Sequence, residues 1–360
     1  MNLKGKIRKG AKLTASAALV LTAIVSLGKR LPEVLNNGET ALTAAAFTLT
    51  DGKYYMESGT TAVTEEHAQS SDTENEPAAA PVDRKTAQRD KSGYYDTNAD
   101  HSGEAVYDVE EKTIGADGDE VEGCYVKNST GIDVDFEELL KTNLPFKVEK
   151  NSDAPQVLIY HTHTGEAYLD EDTDHFYESY YSRTNNNDFN VVAVGERIKE
   201  KLEQKGIKTM HDTTVHDSTY DGSYDRSAQS VQDDMEKYSS IKVVLDIHRD
   251  ALGSEVRKVK TVFEHDGKKG AQIMILAGCD PDNERGFTGW KNNLSLALKL
   301  QSTAEKLYPG MTRPLNFGCF AYNEYICDGS LLIEIGTDAN SIDEAEYSAE
   351  LLADVMSRVL

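Results

Sequence analysis

Followed for the spacing of apolar and polar side chains, the chain changes texture twice. An uncharged run, Leu13–Leu27, comes first; a long polar stretch follows; and from about residue 150 compact apolar runs alternate with helix-spaced stretches. Gln156–Tyr160 (QVLIY), Ile241–Ile247 (IKVVLDI), Gln272–Ala277 (QIMILA) and Ser330–Ile335 (SLLIEI) are short apolar runs, as expected of strands covered on both faces. Ile207–His211 predicts a further strand. Asn190–Gly206 carries apolar residues at helical spacing and ends on a glycine stop. Ser227–Tyr238, Asn292–Tyr308 and Ser341–Leu360 predict three more helices, and Asp133–Leu140 a short one. Strands alternating with helices predict an α/β domain over residues 150–360, with a mainly parallel central sheet flanked by helices. Residues 105–149, where alternation resumes, are expected to form a short N-terminal extension of it.

The earlier segments read as delivery apparatus. Lys4, Lys6, Arg8, Lys9 and Lys12 precede the uncharged run, and Lys29 and Arg30 close it. The run is shorter than the ~20 residues of a comfortable membrane span and fits the core of a signal sequence. The nearest small-residue cleavage site is the distant Ala44-Ala45-Ala46, so residues 1–30 are expected to be an uncleaved signal anchor; a cleaved signal peptide is the alternative. A basic flank stays inside, which places the rest of the chain outside the cytoplasm on a single N-terminal span in the lipid bilayer. Residues 31–104 predict a disordered tether, because Glu57–Glu104 is rich in Glu, Asp, Ser, Thr and Ala and nearly free of aliphatic side chains.

Charge removes one class of partner. With 38 basic and 62 acidic residues the net charge is -24, and a polyanion such as nucleic acid is repelled. Of the four cysteines, Cys124, Cys279, Cys319 and Cys327, only the last two are near one another in sequence; they are as compatible with a bridge as with free buried thiols.

Candidate chemistry gathers at the carboxyl ends of three predicted strands, where the functional crevice of an open α/β sheet lies. His161-Thr162-His163-Thr164-Gly165-Glu166 follows one, His248-Arg249-Asp250 another, and Glu334 ends the third. His163 and Glu166 form an H-x-x-E pair that a distant His248 completes as a two-histidine, one-carboxylate zinc set, leaving a position for water. Glu334 then stands as the proton-accepting base. His161, two residues before His163, competes for its place. Arg249 reads either as a catalytic residue, clamping a substrate carboxylate or polarising a scissile carbonyl, or as a salt-bridge partner of Asp246 or Asp250. Phe176, Tyr177, Tyr180 and Tyr181 read either as a cleft wall or as packing groups, and His175, His211, His216 and His265 as surface or loop histidines.

The segments VLIYHTHTGEAYL, NVVAVGERIKEKLEQKGI, YDGSYDRSAQ followed by IKVVLDIHRDA, and LLIEIGTDANS, in that order, resemble the stage II sporulation protein P family over roughly residues 128–360. The resemblance implies a zinc amidase or carboxypeptidase-like fold and a membrane-anchored cell-wall hydrolase of spore-forming bacteria. The implied activity is an N-acetylmuramoyl-L-alanine amidase on peptidoglycan, with endopeptidase action on stem peptides, at the engulfment septum beside the lytic transglycosylase stage II sporulation protein D. The wider amidase pattern takes its carboxylate ligand from the helix after the first strand, so Glu196 rivals Glu166. A wall-binding scaffold and a stem-peptide carboxypeptidase are the competing readings of function.

The topology is directly testable. A reporter that is active only after export, fused behind the tether, is expected to be active. A silent fusion, with a cytoplasmic reporter active at the same joint, overturns the assignment.

Overall fold

The computed structural model describes residues 89–360; the anchor run and the first part of the tether lie outside them. In chain order the described strands and helices are β1 (Val106–Lys112), β2 (Asp119–Val121), β3 (Cys124–Asn128), α1 (Phe136–Lys141), β4 (Val157–Tyr160), β5 (His175–Tyr177), α2 (Val191–Gln204) and β6 (Thr209–His211). There follow α3 (Ser223–Lys237), β7 (Val243–Asp250), β8 (Gly253–Ser254), β9 (Arg257–His265), β10 (Lys268–Ala271) and β11 (Ile273–Gly278). The chain ends with α4 (Trp290–Leu307), β12 (Leu315–Gly318), β13 (Ser330–Thr337) and α5 (Ile342–Val359).

Eight strands form the main sheet in the order β2-β3-β12-β11-β13-β7-β4-β6. β7, β4, β6 and β13 run parallel, as the buried apolar runs predict, whereas β11 is antiparallel to β13. Alternate residues of these strands face different layers. Ile159, Leu245, Ile247 and Ile333 join the large core with Ile198 of α2 and Leu352 of α5. Leu158, Tyr160 and Val244 join Val231 of α3 on the other face. Each fully buried Leu, Ile or Val here contributes about 1.5–3 kcal/mol from leaving water. The period of two therefore sends Asp246 and His248 toward the α3 face, beside Glu334, which is the cross-strand neighbour of His248. Beyond Glu334 the ladder shifts register before Thr337, and Gly336 takes φ 67° there; a Cβ at Gly336 would stand 2.7 Å from that of Ala271. The chain then turns into α5 through a capping box in which Ser341 and Glu344 bond each other's backbone N–H groups.

Two boundaries differ from those expected. The segment 105–149 is not an appendage: β2 and β3 extend the main sheet through β12, and β1 pairs with β9 and β5 in a second sheet that also holds β10 and β8. The tether likewise stops short of Glu104. Arg89 pairs with Asp343 at 2.6 Å, Lys91 reaches Asp170 at 2.6 Å, Tyr94 stacks on Phe189 at 4.7 Å, and His101 stacks on Tyr177 at 3.9 Å. A few aromatic and cationic anchors dock residues 89–104 although their average composition is that of a solvated chain.

On the other side of the main sheet, α2 crosses β4 and β6 at Gly195. A Cβ there would lie 2.7 Å from His211 Nε2, 2.8 Å from His161 Nε2 and 2.9 Å from His161 Cε1. In an exposed helix interior Gly→Ala is favourable by about 0.8–1 kcal/mol. At this position overpacking reverses the sign, and Gly195→Ala is expected to destabilise the fold by about 1–3 kcal/mol. Urea unfolding midpoints check it; an increase in stability would mean that the two imidazoles do not occupy this space.

Candidate active site

β4 delivers the chain into a turn, His161–Ala167, whose form is dictated by hydroxyl and carboxylate partners. The Thr162 backbone N–H donates to Asp246 Oδ1 at 2.9 Å, and the Thr162 hydroxyl donates to Asp246 Oδ2 at 2.7 Å and meets Ser227 Oγ of α3. The Glu166 N–H closes the turn on the carbonyl of His163 at 3.1 Å. The result brings His163 and Glu166 to one side, opposite His248 on β7 and Glu334 on β13. All four are buried.

His248 lies between two carboxylates. Its Nδ1 is 3.3 Å from Glu166 Oε2, and its Nε2 is 2.8 Å from Asp246 Oδ1, close in charge but off the line of a hydrogen bond. Burial alone would depress its pKa; Asp246 and Glu166 outweigh burial and raise it well above the ordinary value. His163 meets His248 edge-on at 5.4 Å between ring centroids, stacks on Tyr220 at 4.7 Å, and has no hydrogen-bond partner at Nδ1. Burial holds its pKa down at about 4, so it stands neutral with a free lone pair. Glu334 Oε2 also lacks a partner, and burial, then the charge of Asp250, raise that carboxyl to about 8. Burial opposes the ionisation of Glu166, but His248 and Arg249 overcome it and hold its pKa far below the carboxylate range.

These residues suit a zinc ion by donor chemistry: two imidazoles, each with a buried nitrogen that makes no hydrogen bond, and a carboxylate that stays ionised. Their donor atoms do not all lie within 4.8 Å of one another. Among the described residues only Asp96, Asp170 and Glu171 bring three such atoms within 4.8 Å of one another. That trio already encloses a cation, because Lys91 Nζ lies 2.8, 2.6 and 3.3 Å from its three carboxylates.

The rival ligands stand elsewhere. His161 is on the α2 side of the sheet, where its Nδ1 donates to the carbonyl of Ile247 at 2.8 Å and its Nε2 meets His211 Nε2 at 2.9 Å. His211 in turn donates from Nδ1 to Glu196 Oε2 at 2.9 Å. Glu196, held down to about 2 chiefly by that bond, also accepts from Lys199. His161 and Glu196 thus belong to one partly buried relay, and His211, expected as a surface or loop histidine, is its middle member.

Arg249 needs correction too. Its Nε donates to the Ala167 carbonyl at 3.1 Å and its Nη2 to that of Ser182 at 2.6 Å, so the guanidinium braces the turn after Glu166 instead of reaching for a substrate carboxylate. Nor does it bridge Asp250, which pairs with Arg313 at 2.7 Å. Phe176 and Tyr180 pack with Leu169 and Val109 in a small satellite core. The aromatic wall of the site is instead Tyr220, which is 58% exposed while stacked on His163, together with Tyr224 and Tyr322. Tyr322 adopts φ 38°, a strained conformation for a bulky residue. The missed Asp246 had a signal: in VVLDIH it shares the strand face of His248. Tyr220 opens the segment YDGSYDRSAQ, but nothing in the sequence marked it, or Tyr322 on a distant loop, as a wall of the site.

The carboxyl of Glu334 offers a test. Between its ordinary 4.5 and about 8, the folded protein holds a proton that the unfolded chain has released. This contribution to stability is full below pH 4.5 and is lost as pH rises through 8. In chelator-treated protein, Glu334→Gln should gain stability relative to the parent as pH rises from 5 to about 8, by a few kcal/mol, then level off. A pH-independent difference in urea midpoints overturns the assignment.

Comparison with known proteins adds family membership to this geometry. The sequence model of the family "Stage II sporulation protein P" matches residues 27–357. The stage II sporulation protein P of Bacillus subtilis (strain 168) is 29% identical over 232 residues, covering 59% of this chain and 52% of that protein. The chain therefore spans about half the length of the curated relative it matches. Among solved structures it is similar to the N-acetylmuramoyl-L-alanine amidase AmiC2 of Nostoc punctiforme, with 13% identity, TM-score 0.32 and coverage of 57% of this chain and 94% of that one. It is also similar to the CwlD amidase from Clostridioides difficile in complex with the GerS lipoprotein, with 14% identity, TM-score 0.33 and coverage of 56% and 94%. The family match, running through every element that builds the crevice, shows that this chain belongs to the stage II sporulation protein P family.

Proposed function

We propose that the chain is a zinc-dependent peptidoglycan hydrolase, an N-acetylmuramoyl-L-alanine amidase with endopeptidase action on stem peptides, working in septal wall remodelling during sporulation. The observation that carries the reading is the convergence of His163, Glu166, His248 and Glu334 in one buried crevice at the ends of β4, β7 and β13. Membership of the family supports the wall as substrate. Residues 1–30 would hold the enzyme on the outer face of the bilayer, beside the lytic transglycosylase stage II sporulation protein D.

In this reading His163, Glu166 and His248 would hold the zinc, which would supply Lewis acidity to the scissile amide and to water. Glu334 takes the proton of the attacking water and returns it to the leaving amine; a carboxyl displaced toward neutrality is suited to both transfers. Asp246 holds His248 in place, and Arg249 fixes the turn that presents Glu166. Tyr220 and Tyr322 offer flat apolar faces, which suit a sugar ring or a peptide plane.

Zinc content and wall hydrolysis, measured side by side, test the roles. His163→Ala and His248→Ala are expected to lose zinc while remaining folded, and Glu166→Gln to bind it more weakly. Glu334→Gln should retain zinc and lose about 10²–10⁴-fold in turnover. Fragments released from purified wall should carry a free L-alanine amine. Release of terminal amino acids alone would favour a carboxypeptidase, and no release with zinc bound would favour a scaffold. Retention of full zinc in both histidine variants overturns the metal assignment.

A further inference from the structure

The main sheet carries a second pair of reactive groups, away from the crevice. β11 and β12 run parallel with Gly278 opposite Gly318, so the next residues along, Cys279 and Cys319, are cross-strand neighbours. The Cys279 N–H donates to the Gly318 carbonyl at 3.1 Å, and the two sulfurs lie 3.7 Å apart. Neighbouring strands about 4.8 Å apart fall inside the ~4.4–6.8 Å Cα separation that a disulfide spans. One thiol is buried and the other is exposed. The remaining cysteines are placed differently. Cys124 is buried in the main core with its thiol on the Val121 carbonyl, and Cys327 sits beyond the short 3-10 turn Glu324–Ile326, 4.0 Å from the Lys242 carbonyl. The pairing of Cys319 with Cys327 that sequence proximity suggests is therefore not the one the fold prepares.

We propose that Cys279 and Cys319 form a disulfide that staples the exits of β11 and β12, made by thiol–disulfide exchange with an oxidised dithiol protein or a small disulfide such as oxidised glutathione. The exposed Cys319, as thiolate, attacks one sulfur of the oxidant and displaces the other as a thiol, leaving a mixed disulfide on Cys319. Cys279 gives its proton to solvent and attacks Cys319 Sγ, forming the Sγ–Sγ bond and releasing the second thiol. Two protein thiols are oxidised and one external disulfide is reduced to two thiols. The exposed member acts first, because Cys279 is buried.

The staple sits where it can steady the wall of the crevice. After Cys319 the chain turns so tightly that a Cβ on Gly318 would lie 2.3 Å from the Phe320 ring. Phe320 packs on Tyr322 at 4.9 Å, and Tyr322 on Tyr224 at 5.3 Å, which meets His163 edge-on at 5.7 Å. A bond at Cys319 fixes one end of the segment that holds Tyr322 in its strained conformation.

The test is made on the full chain equilibrated with oxidised glutathione, unfolded in an alkylating agent, digested and read by mass spectrometry. The expected result is a peptide linking Cys279 to Cys319, with joint loss of alkylation at those two sites and full alkylation of Cys124 and Cys327. In Cys279→Ser the glutathione adduct on Cys319 should persist, because the resolving thiol is gone. Alkylation of all four cysteines in the parent chain, a lasting glutathione adduct on Cys319 there, or a Cys319–Cys327 link each overturns the proposal. None of these readouts depends on zinc or on wall hydrolysis.

Discussion

The buried carboxylate of Asp246 is the point on which the crevice hangs. It takes the Thr162 N–H and hydroxyl at the end of β4, stands against His248 on its own strand, and through Thr162 engages Ser227 of α3. A charge removed from water is tolerated only when its oxygens are satisfied and a counter-charge is near; breaking such a buried pair costs about 3–5 kcal/mol. Here Thr162 and His248 meet that demand together, so the demand itself fixes how the turn of His163 and Glu166 is presented to β7. Burial works against ionisation of Asp246, yet His248 and the bonds from Thr162 keep its pKa below the ordinary value.

The opposite face of the sheet has its own polar device, and the two are mechanically joined. Glu196, His211 and His161 form a line that ends on the carbonyl of Ile247, the residue before His248. The carbonyl and carboxylate partners make both Nδ1 atoms donors, which leaves the two Nε2 atoms facing each other 2.9 Å apart. β4 and β7 are therefore tied above the sheet through Asp246 and below it through His161. Gly195 is the constraint that admits the lower tie, since any side chain there would displace both rings. An error in either tie would move His163 or His248 relative to the other.

This double arrangement explains which parts of the molecule sequence could reveal. VLIY, VVLDI and LLIEI are buried on both faces, so apolar runs mark them, and each ends in the polar residues that line the crevice. α2 and α5 declare themselves by helical spacing and by caps at Asn190 and Ser341. The second sheet was illegible because β1 and β9 carry charge along their length: VYDVEEK and RKVKTVFEH satisfy their edges with ion pairs such as Arg257–Glu110 and Lys260–Glu111, and lack the apolar run of a covered strand. Direction was hidden as well, since IMILAG announces burial but not that β11 runs against β13. Arg249 misled for a related reason. Its type and position suit a substrate clamp, and only the path of residues 167–182 shows that backbone carbonyls occupy it.

The proposed division of labour between Glu166 and Glu334 rests on the same geometry. Both carboxyls are buried, so desolvation pushes each toward the neutral form. Glu166 receives the backbone N–H of Arg249 and lies within 4.0 Å of the guanidiniums of Arg183 and Arg249, with His248 closer still; it remains an anion. Glu334 stands on a central strand with one oxygen unbonded and a second carboxylate, Asp250, adding repulsion, while Arg313, which opposes it, is engaged by that same Asp250. Two carboxyls in one crevice whose surroundings separate their proton affinities are suited to different tasks. The fixed anion matches a metal ligand, because binding there requires no proton to be expelled. The proton-holding group matches the transfer step, because its affinity lies near that of the medium and a modest change in local charge reverses it. His161 and Glu196, by contrast, are each engaged by partners that build the frame, and recruiting either would disturb the support beneath His248.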